Sequence, residues 1–168
     1  MSVATKPEIN TKRVGGRRKV RYNAFAEIVD DAHRLAAGSH RTLGNWSLAQ
    51  VLKHLGNAMH GSIDGKGFPV KWYLRWIGPI VIKPWLIKGP FPAGFRLPRG
   101  GAVKLVAADT TTFDEGMTAL LAGIERLGRE SSRVSHPVVG KLTVLEWDQF
   151  HLRHAEMHMS FILPEDAK

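Results

Sequence analysis

The stretch TVLEWDQFHLRHAEMHMSF, residues 143–161, decides the fold predicted for this chain. It opens on a capping box, in which Thr143 and Glu146 satisfy free backbone N–H groups at the start of a helix. Apolar side chains then recur at the spacing of an amphipathic helix, and the pattern ends shortly before Pro164. We therefore predict a helix from Thr143 to about Ile162 with one face packed into a core.

Three histidines lie on the apolar side of this predicted helix. On a wheel of about 100° per residue, His158 lies about 40° and His151 about 60° from His154. The opposite arc is polar, and we expect it to face water: Glu146, Gln149, Arg153, Glu156 and Ser160. A buried imidazole without a partner costs free energy, so placing it in a core needs a reason.

A metal ion supplies that reason, because His154 and His158 are spaced i, i+4 and can bind one ion together. A third ligand has to come from another helix, and His54, at the edge of the apolar face of the second predicted helix, is the best candidate. Three neutral histidines suit Zn²⁺, with Ni²⁺, Fe²⁺ or Co²⁺ as alternatives, and leave a position open for water or substrate. Hydrogen-bonded core histidines without a metal are the competing interpretation.

Three further helices are predicted from apolar stripes and caps. The first covers residues 23–35, the second ends near Gly61 and the third ends near Gly128. Two more capping boxes mark helix starts: Ser47 with Gln50 and Thr112 with Glu115. Together the four helices predict an all-α fold, a four-helix bundle with a long connection between helices 2 and 3.

That connection, residues 62–108, is an insertion of different composition. It holds six of the nine prolines, seven glycines and three of the five tryptophans. We expect a short helix over residues 70–77 and an extended end over residues 101–108. Its large aromatic side chains are expected to be buried: Trp72, Trp76, Trp85, Phe91 and Phe95.

The charge of the chain is unevenly placed. Of a net +9, residues 1–21 contribute +6 and residues 62–108 contribute +7. Residues 1–20 lack an apolar period, so we predict a disordered basic tail followed by one domain over residues 21–168. No stretch reaches the roughly 20 apolar residues of a transmembrane segment, no secretory signal opens the chain, and no cysteine is present. We expect a cytoplasmic protein.

Two segments resemble the DinB/YfiT-like superfamily of metal-binding four-helix bundles: WSLAQVLKHLG, residues 46–56, and HPVVGKLTVLEWDQFHLRHAEMHMSF, residues 136–161. The second is similar to an uncharacterised branch with a histidine-proline-glycine loop, a tryptophan on helix 4 and an HxxxH pair. The resemblance implies metal ligands at His54, His154 and His158. It also implies a hydrolase, or a thiol-dependent transferase or isomerase. The chain departs from the pattern at Met157, at Ser160 and Phe161, and in its long aromatic insertion.

The function predicted from these features is that of a metal-dependent enzyme acting on a small molecule. The ion would lower the pKa of a bound water or a low-molecular-weight thiol. His136 and His151 are the candidate catalytic residues. Loop capping is the competing interpretation for His136. For His151 the competing interpretations are a metal ligand, a hydrogen-bond partner of a ligand, and a residue at the rim of the pocket.

Two other classes of function stay open. One is a non-catalytic metal-binding or interaction protein that uses the basic aromatic insertion against a membrane or an acidic partner. The other is nucleic-acid binding through the basic tail, which would be non-specific and sensitive to salt. A homodimer is left open as well, and no specific nucleic-acid partner is predicted.

Overall fold

The computed structural model describes residues 8–65, 71–94 and 107–165, and most of these residues are helical. This confirms the prediction of a helical, all-α chain. The elements in chain order are α1 (Phe25–Ala37), β1 (His40–Thr42), α2 (Leu48–Asp64), α3 (Trp72–Ile77), α4 (Lys83–Lys88), α5 (Phe113–Arg129), α6 (Val144–Met159) and β2 (Ile162–Pro164). Within these three ranges, no helix is both long enough and apolar enough to cross a membrane.

The three predicted capping boxes are all present, at the starts of α2, α5 and α6. Their pairs are Ser47 with Gln50, Thr112 with Glu115, and Thr143 with Glu146. In α6 the hydroxyl of Thr143 accepts from the N–H of Glu146 at 3.2 Å, and the carboxylate of Glu146 accepts from the N–H of Thr143 at 2.9 Å. These local bonds fix where each helix begins, and so fix which side chains share a face.

α2 and α5 pack closely because glycines lie where their backbones meet. A Cβ added to Gly56 would lie 2.2 Å from the carbonyl oxygen of Ala119, and one added to Gly116 would lie 2.5 Å from that of Ala49. Only a residue without a side chain fits at such a distance. The contact continues into a core of fully buried side chains from the longer helices: Ile28, Leu35, Leu52, Leu55, Met59, Leu120 and Met159. α2 also packs against α6, which brings the histidines of both helices to one region.

The end of α6 differs from the prediction. The helix stops at Met159 rather than near Ile162, because the following residues pair with another part of the chain. β2 runs antiparallel to β1, with Thr42 opposite Ile162 and His40 opposite Pro164. This short pairing ties the chain before α2 to the chain after α6.

The aromatic insertion also differs from the prediction. The expected short helix is present as α3, and it continues through a π-helical turn (Gly78–Ile82) into α4. The expectation of burial is wrong for the tryptophans: Trp72 is 74% exposed, Trp76 is 76% exposed and Trp85 is 46% exposed. Residue 70, Phe95 and most of the predicted extended stretch lie outside the described residues.

The polar arc of α6 was expected to face water, and this is wrong for Arg153, Glu156 and Ser160, which are buried. The chain before α1 lies over them. The backbone N–H of Tyr22 donates to Glu156 at 2.7 Å, and Arg153 pairs with the same carboxylate at 2.9 Å. Tyr22 is itself buried, so the chain just before α1 forms part of the packed structure.

Asp31 of α1 lies at the centre of this contact. It accepts hydrogen bonds from the hydroxyl of Tyr22 at 2.6 Å and from both terminal nitrogens of Arg18 at 3.0 and 2.7 Å, and it also pairs with Arg34. We call Arg18, Tyr22, Asp31 and Arg34 the Asp31 cluster. How the chain divides into tail and domain stays a prediction.

Candidate metal centre

α2 and α6 bring three imidazole rings to one point. His54 comes from α2, and His154 and His158 come from consecutive turns of α6. The Nε2 atom of His154 lies 3.3 Å from that of His54 and 3.0 Å from that of His158. One ring nitrogen from each residue lies within 4.8 Å of the other two, so the group could hold a metal ion. We call these residues the histidine cluster.

The two nitrogen–nitrogen distances from His154 are compatible with one shared ion. With a zinc–nitrogen bond of about 2.0–2.1 Å, two ligand nitrogens are about 3.3 Å apart in a tetrahedral site. In an octahedral site of the same bond length the adjacent nitrogens are about 3.0 Å apart. The distances from His154 match these separations. The donor set, three imidazoles without carboxylate or thiolate, suits zinc and the later first-row divalent metals.

Hydrogen bonds among the three Nε2 atoms of the histidine cluster cannot satisfy all of them. An Nε2 atom carries either one hydrogen or one lone pair, so it can form only one N–H···N bond. The Nε2 atom of His154 lies within hydrogen-bonding distance of two others, those of His54 and His158. A cation facing three lone pairs would satisfy all three rings at once, whereas a proton can satisfy only two.

Burial favours the neutral form of His154 and His158, which is the form that binds metals. Burial lowers the pKa of His154 well below its usual value, and positive charge on His158 or His54 would lower it further. The pKa of His158 is lowered for the same reasons, burial first and then His54. His54 is buried, while His154 and His158 are partly exposed.

Aromatic side chains surround the three imidazoles. Trp46 stacks on His158 with ring centroids 5.2 Å apart and 12° between the planes, and it lies 4.8 Å from the ring of His54. Phe91, from the insertion, lies 5.5 Å from the ring of His154. Such contacts restrict ring rotation and exclude water from the flanks.

The second nitrogen of His154 is less well supported. A metal-bound histidine normally donates its other N–H to a carboxylate, a carbonyl or water. The Nδ1 atom of His154 is buried and has no hydrogen-bond partner within the described ranges. Within the described residues, the rings of Phe91 and Phe150 pack against the ring of His154.

His151 lies on the same helix but does not join the cluster. Its Nε2 atom lies 3.0 Å from the hydroxyl oxygen of Ser62, whose hydrogen is donated to the carbonyl of Met59 at 2.7 Å. The imidazole must therefore supply the hydrogen of its bond to Ser62. Burial lowers the pKa of His151 to about 3, and Trp147 stacks on its ring at 5.5 Å. These contacts join α6 to α2.

His136 caps a loop. Its Nδ1 atom accepts the backbone N–H groups of Val138 and Val139, each at 3.2 Å. Two backbone hydrogen bonds of 2.9 Å also join His136 to Gly140. Burial lowers the pKa of His136 to about 4. The catalytic roles predicted for His136 and His151 are not tested by these contacts and stay predictions.

Trp46 and Phe91 are parts of the site that the motifs in the sequence do not predict. Trp46 comes directly before the N-cap of α2, two helical turns ahead of His54, so its position carried a usable signal. The sequence around Phe91 gave no such signal, because the path of the insertion decides which part of the fold Phe91 contacts.

One protein family matches the sequence over nearly its whole length. Its description is "Protein of unknown function (DUF1569)", and the match covers residues 15–165. No curated protein matches the chain, and no solved structure matches it.

Proposed function

The chain belongs to the DUF1569 family, and we propose that it is a metal-dependent enzyme with one divalent ion bound by His54, His154 and His158. The observation that carries the proposal is the meeting of three Nε2 atoms from two helices at distances of 3.0 and 3.3 Å. As part of this proposal, α1, α2, α5 and α6 form a four-helix bundle of the DinB/YfiT-like type.

Three protein ligands are typical of a catalytic site rather than a structural one, because a structural zinc site is normally closed by four. His154 and His158 are partly exposed, which leaves a path for a small molecule to reach the open side. When bound, the ion would act as a Lewis acid that lowers the pKa of a water or thiol, which gives hydrolysis or thiol transfer. Zn²⁺ suits the donor set best, ahead of Ni²⁺, Fe²⁺ and Co²⁺.

The surrounding residues have separate roles in this proposal. Trp46 and Phe91 hold the imidazoles in place and shield them from water. His151 acts as a positioning residue, since its N–H bonds to Ser62 and so fixes α6 against α2. Because Nδ1 of His136 accepts two backbone N–H groups, its single proton lies on Nε2. His136 can therefore donate a hydrogen bond from Nε2 to a substrate.

The first test is metal content. We expect purified chain loaded with Zn²⁺ and dialysed to retain one ion per chain by mass spectrometry of the metal. Removing a ligand should weaken binding beyond the 10–100-fold typical of outer partners, so we expect more than about 100-fold for His154→Ala and His158→Ala. His40→Ala, an exposed histidine in β1, is the matched control and should bind like wild type.

The second test is activity. Metal-loaded wild type should hydrolyse a small ester, or transfer a small thiol to an electrophile, and His154→Ala should lose that turnover. Metal binding by His154→Ala and His158→Ala equal to wild type would remove the basis of the proposal. One bound ion without turnover in either assay would instead favour the non-catalytic metal-binding alternative.

A further inference from the structure

A row of large apolar side chains lies exposed on the helical segment that runs from α3 through the π-helical turn to α4. We call it the aromatic face. Its members are Trp72, Tyr73, Trp76, Ile77, Ile80, Val81 and Trp85, exposed by 41 to 77%. They recur every four residues in two rows, as expected for one side of a helix. So many large apolar side chains together are unusual on a protein surface and mark a contact site.

The opposite side of the segment is anchored to the rest of the protein. A Cβ added to Gly78 would lie 1.9 Å from the carbonyl oxygen of Val138, so the backbones touch there. Leu86 and Ile87 are buried, and the amine of Lys83 pairs with Glu146 at 2.8 Å. The segment is therefore held by one side, and the aromatic face is the side that the described part of the chain leaves uncovered.

The stretch of sequence that contains the aromatic face has only positive charges of its own. Residues 65–108 contain eight Lys and Arg and no Asp or Glu. Lys71 and Lys88 lie at the two ends of the segment and are exposed. A helix with aromatic and aliphatic residues on one side and lysines beside them is typical of segments that lie in the surface of a membrane.

We propose that the aromatic face binds the surface of a lipid bilayer that contains anionic lipids. Tryptophan and tyrosine favour the headgroup level, and the lysines would meet the acidic headgroups. The segment from Trp72 to Lys88 would lie along the surface, since no described helix is able to cross a membrane.

Two other occupants fit the observations less well. A second copy of the chain would bring the same positive insertion against itself, so like charges would face each other. Nucleic acid would suit the positive charge but offers little to the exposed aliphatic side chains of Ile77, Ile80 and Val81. An anionic bilayer matches both the charge and the apolar surface.

Co-flotation of the full chain with vesicles tests this proposal. We expect binding to vesicles of phosphatidylcholine with about 30% phosphatidylglycerol to be at least about tenfold stronger than to pure phosphatidylcholine, because each lysine gains from the anionic surface. Trp72→Ala combined with Trp76→Ala should weaken binding to the anionic vesicles by at least about tenfold, because both rings lose their place in the interface. Lys71→Glu combined with Lys88→Glu should remove the preference for anionic lipid.

The matched control is Leu145→Ala, a side chain that is 74% exposed on α6, outside the segment. It should bind vesicles like wild type. Zinc content and far-ultraviolet circular dichroism should be unchanged in the double tryptophan variant, because neither ring touches the histidine cluster. Metal binding and vesicle binding can thus fail independently.

Three results would overturn the proposal. The first is equal recovery of wild type and the double tryptophan variant with anionic vesicles. The second is a wild-type dimer, seen by light scattering, that the tryptophan substitutions convert to a monomer without any effect of vesicles. The third is tighter binding to single- or double-stranded DNA than to anionic vesicles, with the same dependence on Trp72 and Trp76.

Discussion

Two polar clusters touch α6 on different faces, and they differ in the charges that meet in them. In the Asp31 cluster one carboxylate receives hydrogen bonds from Arg18, Tyr22 and Arg34, so opposite charges meet. In the histidine cluster three like nitrogens face one another, and hydrogen bonds among these atoms cannot satisfy all three. The first arrangement pairs opposite charges within the chain, whereas the second brings together three groups that could hold a cation.

The largest expected effect is a loss of stability when Asp31 is replaced. Asp31→Ala leaves Arg18 and Tyr22 without their shared acceptor, and breaking a buried ion pair typically costs 3–5 kcal/mol. Since the side chain of Arg18 is 16% exposed, we expect a loss of about 3 kcal/mol, near the lower end. Urea denaturation of the metal-free chain measures this change. Asp30→Ala, the exposed neighbour on α1, should stay within about 0.5 kcal/mol of wild type.

The histidine cluster should contribute to the free energy of unfolding only when metal is bound. A ligand at 100 times its dissociation constant stabilises the folded state by about 2.7 kcal/mol. We expect Zn²⁺ at that level to raise the free energy of unfolding of wild type by this amount and to leave His154→Ala unchanged. Asp31→Ala should keep the full zinc response, because its cluster does not touch the imidazoles. Equal zinc stabilisation of wild type and His154→Ala would show that the two clusters do not differ as argued.

The smallest expected effect is the dependence of stability on acidic pH through the carboxylate of Asp31. Burial alone would raise the pKa of Asp31, but hydrogen bonds from Arg18 and Tyr22 and the charges of Arg18 and Arg34 outweigh it, so the pKa is lowered. A depressed pKa contributes stability that is complete above the unfolded value near 3.9 and is lost as the pH falls through the folded value.

The measurement is the free energy of unfolding of wild type and Asp31→Asn from pH 7 downward. The difference between them should be constant above about pH 5 and shrink below about pH 4, because wild type loses its charge there and the amide has none to lose. A difference that stays constant down to pH 2 would mean that the carboxylate charge contributes nothing.

Much of the α6 face could be predicted from the sequence because its determinants are local. The capping box of Thr143 and Glu146 sets the start of the helix, and the helical period then places His154 and His158 on one side. The contribution of His54 rested on the edge of an apolar stripe and on the resemblance, because no local rule says which faces of α2 and α6 meet.

Long-range contacts explain what could not be predicted. Arg153 and Glu156 read as solvent-facing because they are polar, yet Tyr22 approaches from a distant part of the chain and gives both a partner. The tryptophans of the insertion read as buried because they are large and apolar. Hydropathy alone does not show whether such side chains meet the core or an external surface.

The π-helical turn between α3 and α4 has a consequence for the shape of the insertion. In an uninterrupted α-helix, Trp85 would lie about 140° around the axis from Trp72, nearly on the opposite side. Hydrogen bonds from i to i+5 put more residues into each turn and wind part of that rotation back. Deleting a single residue from Gly78–Ile82 would restore ordinary winding and still leave Trp85 about 120° around the axis from Trp72, so the strip of rings would keep its direction.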